Sequence, residues 1–140
     1  MAVEVVERAE AAGPMADDMA RSTFARALAL IADAKVTVLH GVPTQYHLLM
    51  REEAFNPSRL TSLRAGVIAG SSVDEALVRR VRRWCDVLVA YGLTETGPVV
   101  TITRLADNDD RRLSTVGCAL PIHNRFTEPF AVAHCDALDS

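Results

Sequence analysis

Three short apolar runs constrain this chain more than any other feature: Val36–Leu39, Gly66–Ala69 and Val87–Ala90. The first is continuous rather than alternating, as central strands of a parallel sheet tend to be. Helical patterns lie between them. Ser22 or Thr23 is placed to cap a helix whose inner face is Phe24, Ala27, Leu28 and Ile31. Pro43 suits a helix start, and Tyr46, Leu49 and Met50 share one face of the helix it would open. Asn56-Pro57-Ser58 marks a loop. Ser72-Val73-Asp74-Glu75 has the Ser-x-x-Glu form of a capping box. It opens a helix with a stripe of Val73, Ala76, Leu77, Val81 and Trp84, and with Arg79, Arg80, Arg82 and Arg83 facing outward. Val99–Thr103 reads as a fourth strand. Repeated strand–helix–strand order predicts an α/β fold, a mainly parallel sheet with covering helices. Upstream, Val5, Val6, Ala9 and Ala12 keep helical spacing until Gly13-Pro14, and Met15–Arg21 reads as a linker.

Composition narrows the function classes. A length of 140 residues predicts one domain with a real core. A net charge of -3 argues against a dedicated nucleic-acid binder. The arginine cluster reads as a solvated helix face, since no aromatic residues are interleaved with it. No apolar run approaches the roughly 18 residues needed to span a bilayer, and the N-terminus lacks the basic start of a secretory signal. Cys85, Cys118 and Cys135 are odd in number and widely spaced, so no disulfide framework is implied and a reduced, cytoplasmic setting fits. Cys118, His123, His134 and Cys135 match no recognised zinc spacing.

The candidate chemistry begins where the third run ends. Val87–Ala90 leads directly into Tyr91-Gly92-Leu93-Thr94-Glu95-Thr96-Gly97-Pro98. The ring of Tyr91 can stack on a purine, the Thr94 hydroxyl can bond a phosphate oxygen, and Glu95 can hold a hard cation such as Mg²⁺. Open α/β sheets place ligands just beyond the carboxyl ends of their strands, where this segment falls. The plainer alternative is a strand, a glycine turn and a polar cap. Gly70 follows the second run in the same way, where its lack of a side chain permits close backbone approach. Ser72 is explained equally well by helix capping alone.

Four stretches in order carry a family resemblance between Phe24 and Pro121. They are Lys35–Thr44, Leu63–Ser72, the Tyr91–Pro98 segment and Val116-Gly117-Cys118-Ala119-Leu120-Pro121. Together they resemble the adenylate-forming (AMP-binding) enzymes, in particular medium- or long-chain fatty-acyl-CoA ligases. The resemblance implies a partial subdomain of that fold and a two-step reaction. A carboxylate attacks the α-phosphate of ATP to give an acyl-adenylate and pyrophosphate, and the thiol of CoA then displaces AMP. By the same resemblance, Tyr91 and Gly92 hold the adenine, and Gly70, Ser71 and Ser72 line its edge. Thr94 bonds the α-phosphate and Glu95 holds Mg²⁺, which makes these two the catalytic candidates. The family often has proline where Ser72 stands. His40, Gly41 and Val42 fall near the acyl pocket, although His40 also reads as a strand-terminal histidine satisfied by backbone.

Family members are several times longer than this chain. The expected division is an extension at 1–21, a partial synthetase domain at 22–121 and an irregular tail at 122–140. The Ser/Thr/Gly-rich phosphate loop followed by lysine, the ribose-binding aspartate and the C-terminal lysine are absent from the sequence. The donors that would stabilise the transferring phosphoryl group are therefore largely missing. The expectation is a ligase fragment, inactive alone, whose whole enzyme would take a fatty acid. Two alternatives are a non-catalytic nucleotide-binding or interaction module that self-associates through apolar surface, and one half of a split synthetase completed by a second polypeptide.

Overall fold

The computed structural model describes residues 16–95 and 97–120. Helix α1 (Ala16–Asp33) leads to strand β1 (Val38–Gly41), helix α2 (Pro43–Arg51) and a 3₁₀ turn at Pro57–Arg59. Strand β2 (Ala65–Ile68), helix α3 (Glu75–Val81), strand β3 (Val87–Leu93), strand β4 (Gly97–Ile102), helix α4 (Asp109–Ser114) and strand β5 (Cys118–Ala119) complete the order.

Local chemistry sets most of these boundaries. Helix α1 continues through the segment expected to be a linker, so Ser22 and Thr23 lie inside it rather than at its start. It stops where Lys35 takes φ 51, a left-handed conformation that turns the chain into β1. In α2, Pro43 occupies the first turn, and the Gln45 side chain accepts the Val42 N–H at 3.0 Å. Its buried residues are Pro43, Tyr46 and Leu49. Helix α3 begins two residues later than its sequence signature implies. Asp74, not Ser72, is the cap, and its carboxylate accepts the Leu77 N–H at 2.7 Å. The later start moves the buried stripe to Leu77, Val78 and Val81, while Ala76 is exposed. Arg79, Arg80 and Arg83 face solvent as expected, and Arg82 is half-buried.

All five strands form one sheet in the order β1-β2-β3-β4-β5. The three parallel strands sit side by side, with Val38 opposite Ala65 and Gly66 opposite Val87. The other pairings, β3 with β4 and β4 with β5, are antiparallel, so the α/β sheet combines the expected parallel strands with an antiparallel edge. The reason is chain length. Strand β3 runs through Leu93 and only residues 94–96 separate it from β4, whereas a parallel return needs a crossover of about a dozen residues. Beyond β4, Thr103 ties the hairpin to β3. Its backbone N–H donates to the Val89 carbonyl and its hydroxyl accepts the Val89 N–H, both at 2.9 Å.

Helix α1 touches α2 and α2 touches α3, forming a layer on one sheet face. Leu39, Ile68, Val87 and Val89 meet Ala27, Ile31, Tyr46, Leu77 and Val81 in the core between them. Trp84, just past α3, packs edge-on to Phe55 with ring centroids 5.3 Å apart and lies 6.2 Å from Tyr46. Side chains alternate along a strand. Val38, Val67 and Leu88 therefore point to the opposite face, and they are half-buried. No helix among the described residues is long and apolar enough to cross a membrane.

Candidate functional site

Parallel pairing brings the carboxyl ends of β1, β2 and β3 together. The Ala69 N–H donates to the Gly41 carbonyl at 3.2 Å, which carries the β1–β2 contact past the last paired residues. Gly70 then turns the chain with φ +92, and a Cβ there would lie 3.0 Å from Val42 Cγ1. The backbone conformation, one that L residues rarely adopt, favours glycine here, and a Cβ would also need the Val42 side chain to give way slightly.

Beyond these strand ends lies a cleft of about 640 Å³. Gly70, Ser71 and Ser72 form one wall, Val89 through Leu93 another, and Leu113 through Val116 a third. Two segments singled out in the sequence, Gly70–Ser72 and Tyr91–Gly92, are therefore parts of one surface. Tyr91 is 47% exposed, so its ring is open to a ligand. Ser71 and Ser72 are also exposed, and Ser72 is free of the capping role. An open ring, a close-approach glycine and two hydroxyls suit a planar ligand with a polar edge. Among the described lining residues, Tyr91 is the one that carries a titratable side chain.

The other candidates lie around this cleft. Thr94 and Glu95 are exposed in the turn after β3 and do not line it. His40 is exposed on β1. Gly41 ends β1, and Val42 reaches the cleft rim only through its approach to Gly70. Tyr91, Gly92 and Leu93 belong to β3 rather than following it, with an irregular register between Tyr91 and Leu93 where the strand twists into the turn.

Sequence reasoning passed over the third wall. Helix α4 has a legible signature: Asn108 caps it by accepting the Arg111 N–H at 3.0 Å, with Asp109 and Asp110 in the first turn and Arg111 and Arg112 in the last. Its shortness hid it. Arg112 is 4% exposed and bonds both the Asp86 carboxylate and the Val87 carbonyl, the latter at 3.1 Å. Arg82 reaches Asp109 at 2.7 Å, holding that carboxyl below its ordinary range by a hydrogen bond and by its charge. After α4, Gly117 takes φ +80 with the Ile102 backbone occupying the place a Cβ would need, so only glycine passes. Cys85 is free and buried. Among the described residues no group of three or more His, Cys, Asp or Glu side chains could hold a metal ion.

A mixed α/β sheet with a cleft at the carboxyl ends of its parallel strands defines a ligand-binding domain of the open-sheet class. The profile of the AMP-binding enzyme family matches residues 11–127, and the chain belongs to that family. This match is wider at both ends than the stretch carrying the sequence motifs. YngI of Bacillus subtilis, a protein named for acyl-CoA synthetase activity, is 41% identical over 98 residues, covering 67% of this chain and 18% of YngI. The mitochondrial medium-chain acyl-CoA ligase ACSF2 of Mus musculus is 32% identical over 99 residues, covering 69% and 16%. The crystal structure of the anthranilate CoA ligase AuaEII in complex with anthranoyl-AMP superposes with a TM-score of 0.62 at 25% identity, covering 73% of this chain and 19% of that one. The chain thus spans less than a fifth of the length of these relatives.

Proposed function

We propose that this chain forms the adenine side and part of the acyl side of an ATP-dependent, AMP-forming acyl-CoA ligase. One observation carries the reading: the fold gathers Gly70–Ser72 and Tyr91–Gly92, twenty residues apart in the chain, into one cleft. Tyr91 stacks on the purine, and Gly70, Ser71 and Ser72 meet its edge. Thr94, one turn beyond the ring, bonds the α-phosphate. Glu95 offers one carboxylate, which suits Mg²⁺ held jointly with phosphate oxygens, as that ion is usually bound. The approach of Val42 to Gly70 supports assigning His40, Gly41 and Val42 to the side where the acyl group would enter.

In the whole enzyme a carboxylate oxygen attacks the α-phosphorus as pyrophosphate leaves. The CoA sulfur then attacks the acyl carbonyl as AMP leaves. This chemistry depends on positioning and charge neutralisation. A medium-chain fatty acid is the favoured substrate class, by likeness to ACSF2, and the cytoplasm the favoured setting. On this reading the adenine side by itself binds AMP weakly, and turnover of ATP needs the remainder of the enzyme. A second reading, one half of a split synthetase, is favoured by the half-buried sheet face of Val38, Val67 and Leu88, which a complementing polypeptide would cover.

Titration with AMP, followed by amide NMR, tests the reading. The expected outcome is a dissociation constant on the order of 1 mM, about -4 kcal/mol. Shifts should centre on Gly70–Ser72 and Tyr91–Gly92, and Tyr91→Ala should abolish them. Shifts elsewhere, or equal binding by Tyr91→Ala, would remove the basis of the proposal. Pyrophosphate release from ATP and a fatty acid should stay at background for the chain alone and appear only with a complementing polypeptide.

A further inference from the structure

We infer that Arg112 is a positioning residue for the nucleotide cleft, acting through helix α4. The inference rests on the nucleotide reading of that cleft. Arg112 does not line the cleft, yet the four residues after it, Leu113 through Val116, form its third wall. Helix α4 is six residues long and exposes Asp109, Asp110 and Ser114. A helix this short has little stability of its own, so its placement depends on tertiary anchors.

Arg112 is the buried anchor. One nitrogen, Nη2, donates both to the Asp86 carboxylate and to the Val87 carbonyl at 3.1 Å. Those acceptors sit at the first turn into β3, the strand that carries Tyr91 five residues past Asp86. The guanidinium, beside the core packing of Leu113, therefore gives the α4 wall its directional polar link to the strand bearing the stacking ring. Its Nε is buried without a hydrogen-bond partner, so both bonds rest on Nη2. The second link, Arg82 to Asp109 at 2.7 Å, is at the solvent-exposed start of α4, away from the cleft end. Exposed pairs of this kind hold geometry weakly. Arg112 sits directly before the lining residues and bonds inward, so it sets how far the wall stands from Tyr91.

The experiment compares Arg112→Met, Arg112→Lys and Asp86→Asn with the core variant Leu28→Ala, which lies in α1 far from the α4 anchor. Two readouts are used on the full chain: amide hydrogen exchange and AMP titration. In Arg112→Met the Thr115 amide, bonded to the Arg111 carbonyl at 3.2 Å, should exchange roughly tenfold faster. The Ala69 amide, bonded to Gly41, should be unchanged. AMP affinity should fall about tenfold, because small misplacements of binding groups are costly. Arg112→Lys should restore part of both effects, and Asp86→Asn should reproduce part of both. Leu28→Ala should speed exchange throughout and leave AMP affinity intact while the chain is folded.

If Arg112→Met does not fold, Arg112→Lys and Asp86→Asn carry the same comparison. Unchanged Thr115 exchange in these variants overturns the inference, as does a loss of AMP affinity no greater than that of Leu28→Ala. If the parent chain fails to bind AMP while Thr115 exchange still responds to Arg112, the nucleotide reading fails and the anchoring of the wall stands.

Discussion

The hydroxyl of Tyr46, buried to 1% exposure, donates to the Leu39 carbonyl at 2.7 Å and ties helix α2 back to the strand before it. Burial raises the phenol above its ordinary pKa, which keeps the hydroxyl protonated as a donor. The same side chain lies beside Gly41 and Gly66, occupying space that side chains on β1 and β2 would otherwise fill. Tyr46→Phe removes the donor and keeps the ring. It should lower unfolding free energy by about 1 kcal/mol with an unchanged denaturant slope. A change below a few tenths would mean that the bond contributes little beyond packing.

Gly70 combines a positive φ with contact to Val42. Gly70→Ala should cost roughly 1–3 kcal/mol of stability from backbone strain and crowding together. Adding Val42→Ala should recover only the crowding part, because the strain belongs to the backbone. Urea unfolding of both single variants and the double variant checks this. Full recovery in the double variant would show that φ at Gly70 carries no strain.

The cap of α3 distinguishes two readings of one motif. Asp74→Ala should destabilise by about 1 kcal/mol, since its carboxylate holds the Leu77 N–H. Ser72→Ala should stay within about 0.5 kcal/mol, as surface changes away from such features usually do. The reverse order in thermal unfolding would reinstate the Ser-x-x-Glu box.

Cys85 gives a pH prediction. Burial, aided by the Asp86 charge, pushes its thiol up to about 12. In the unfolded chain the thiol ionises at about 8.5. Above that pH the unfolded state releases a proton that the folded state keeps, so stability falls as pH rises toward 12. Below the unfolded value this contribution is fully present. Unfolding from pH 8 to 10.5 should show a downward slope that Cys85→Ala reduces. Alkylation of the native thiol near pH 8 should be far slower than in urea.

Much of the fold can be read in one dimension, because local chemistry speaks locally. Pro43 before a spaced Tyr46 and Leu49 predicts α2, and the helix is there. The three apolar runs become adjacent parallel strands. The YGLTE segment suits a ligand, while GSS suits a ligand and a turn with a helix cap equally well, so the sequence marks both as candidates. Where local signals compete, the sequence is ambiguous. Ser72 and Asp74 both suit a cap, and only the path of the chain leaving Gly70 decides that Asp74 meets the Leu77 N–H. The short link after Leu93 forces the antiparallel return of β4, yet the apolar run ends at Ala90 and hides how far β3 extends.

Sequence alone determined the three parallel strands, helices α1 to α3 and the residue types at the strand ends. Tertiary structure decided which of those ends share a surface. Tyr91 and Ser71 meet in one cleft because strand pairing aligns β2 and β3 in register, while Thr94 and Glu95, only a few residues on, fall outside it where the hairpin turns away. The wall supplied by α4 was beyond reach for the same reason. Nothing near Leu113 says what it faces; that depends on Arg112 finding Asp86 and Val87, twenty-six and twenty-five residues earlier, once the sheet has formed. Local propensity acts over a few residues, whereas a cleft depends on contacts that only the packed chain can make.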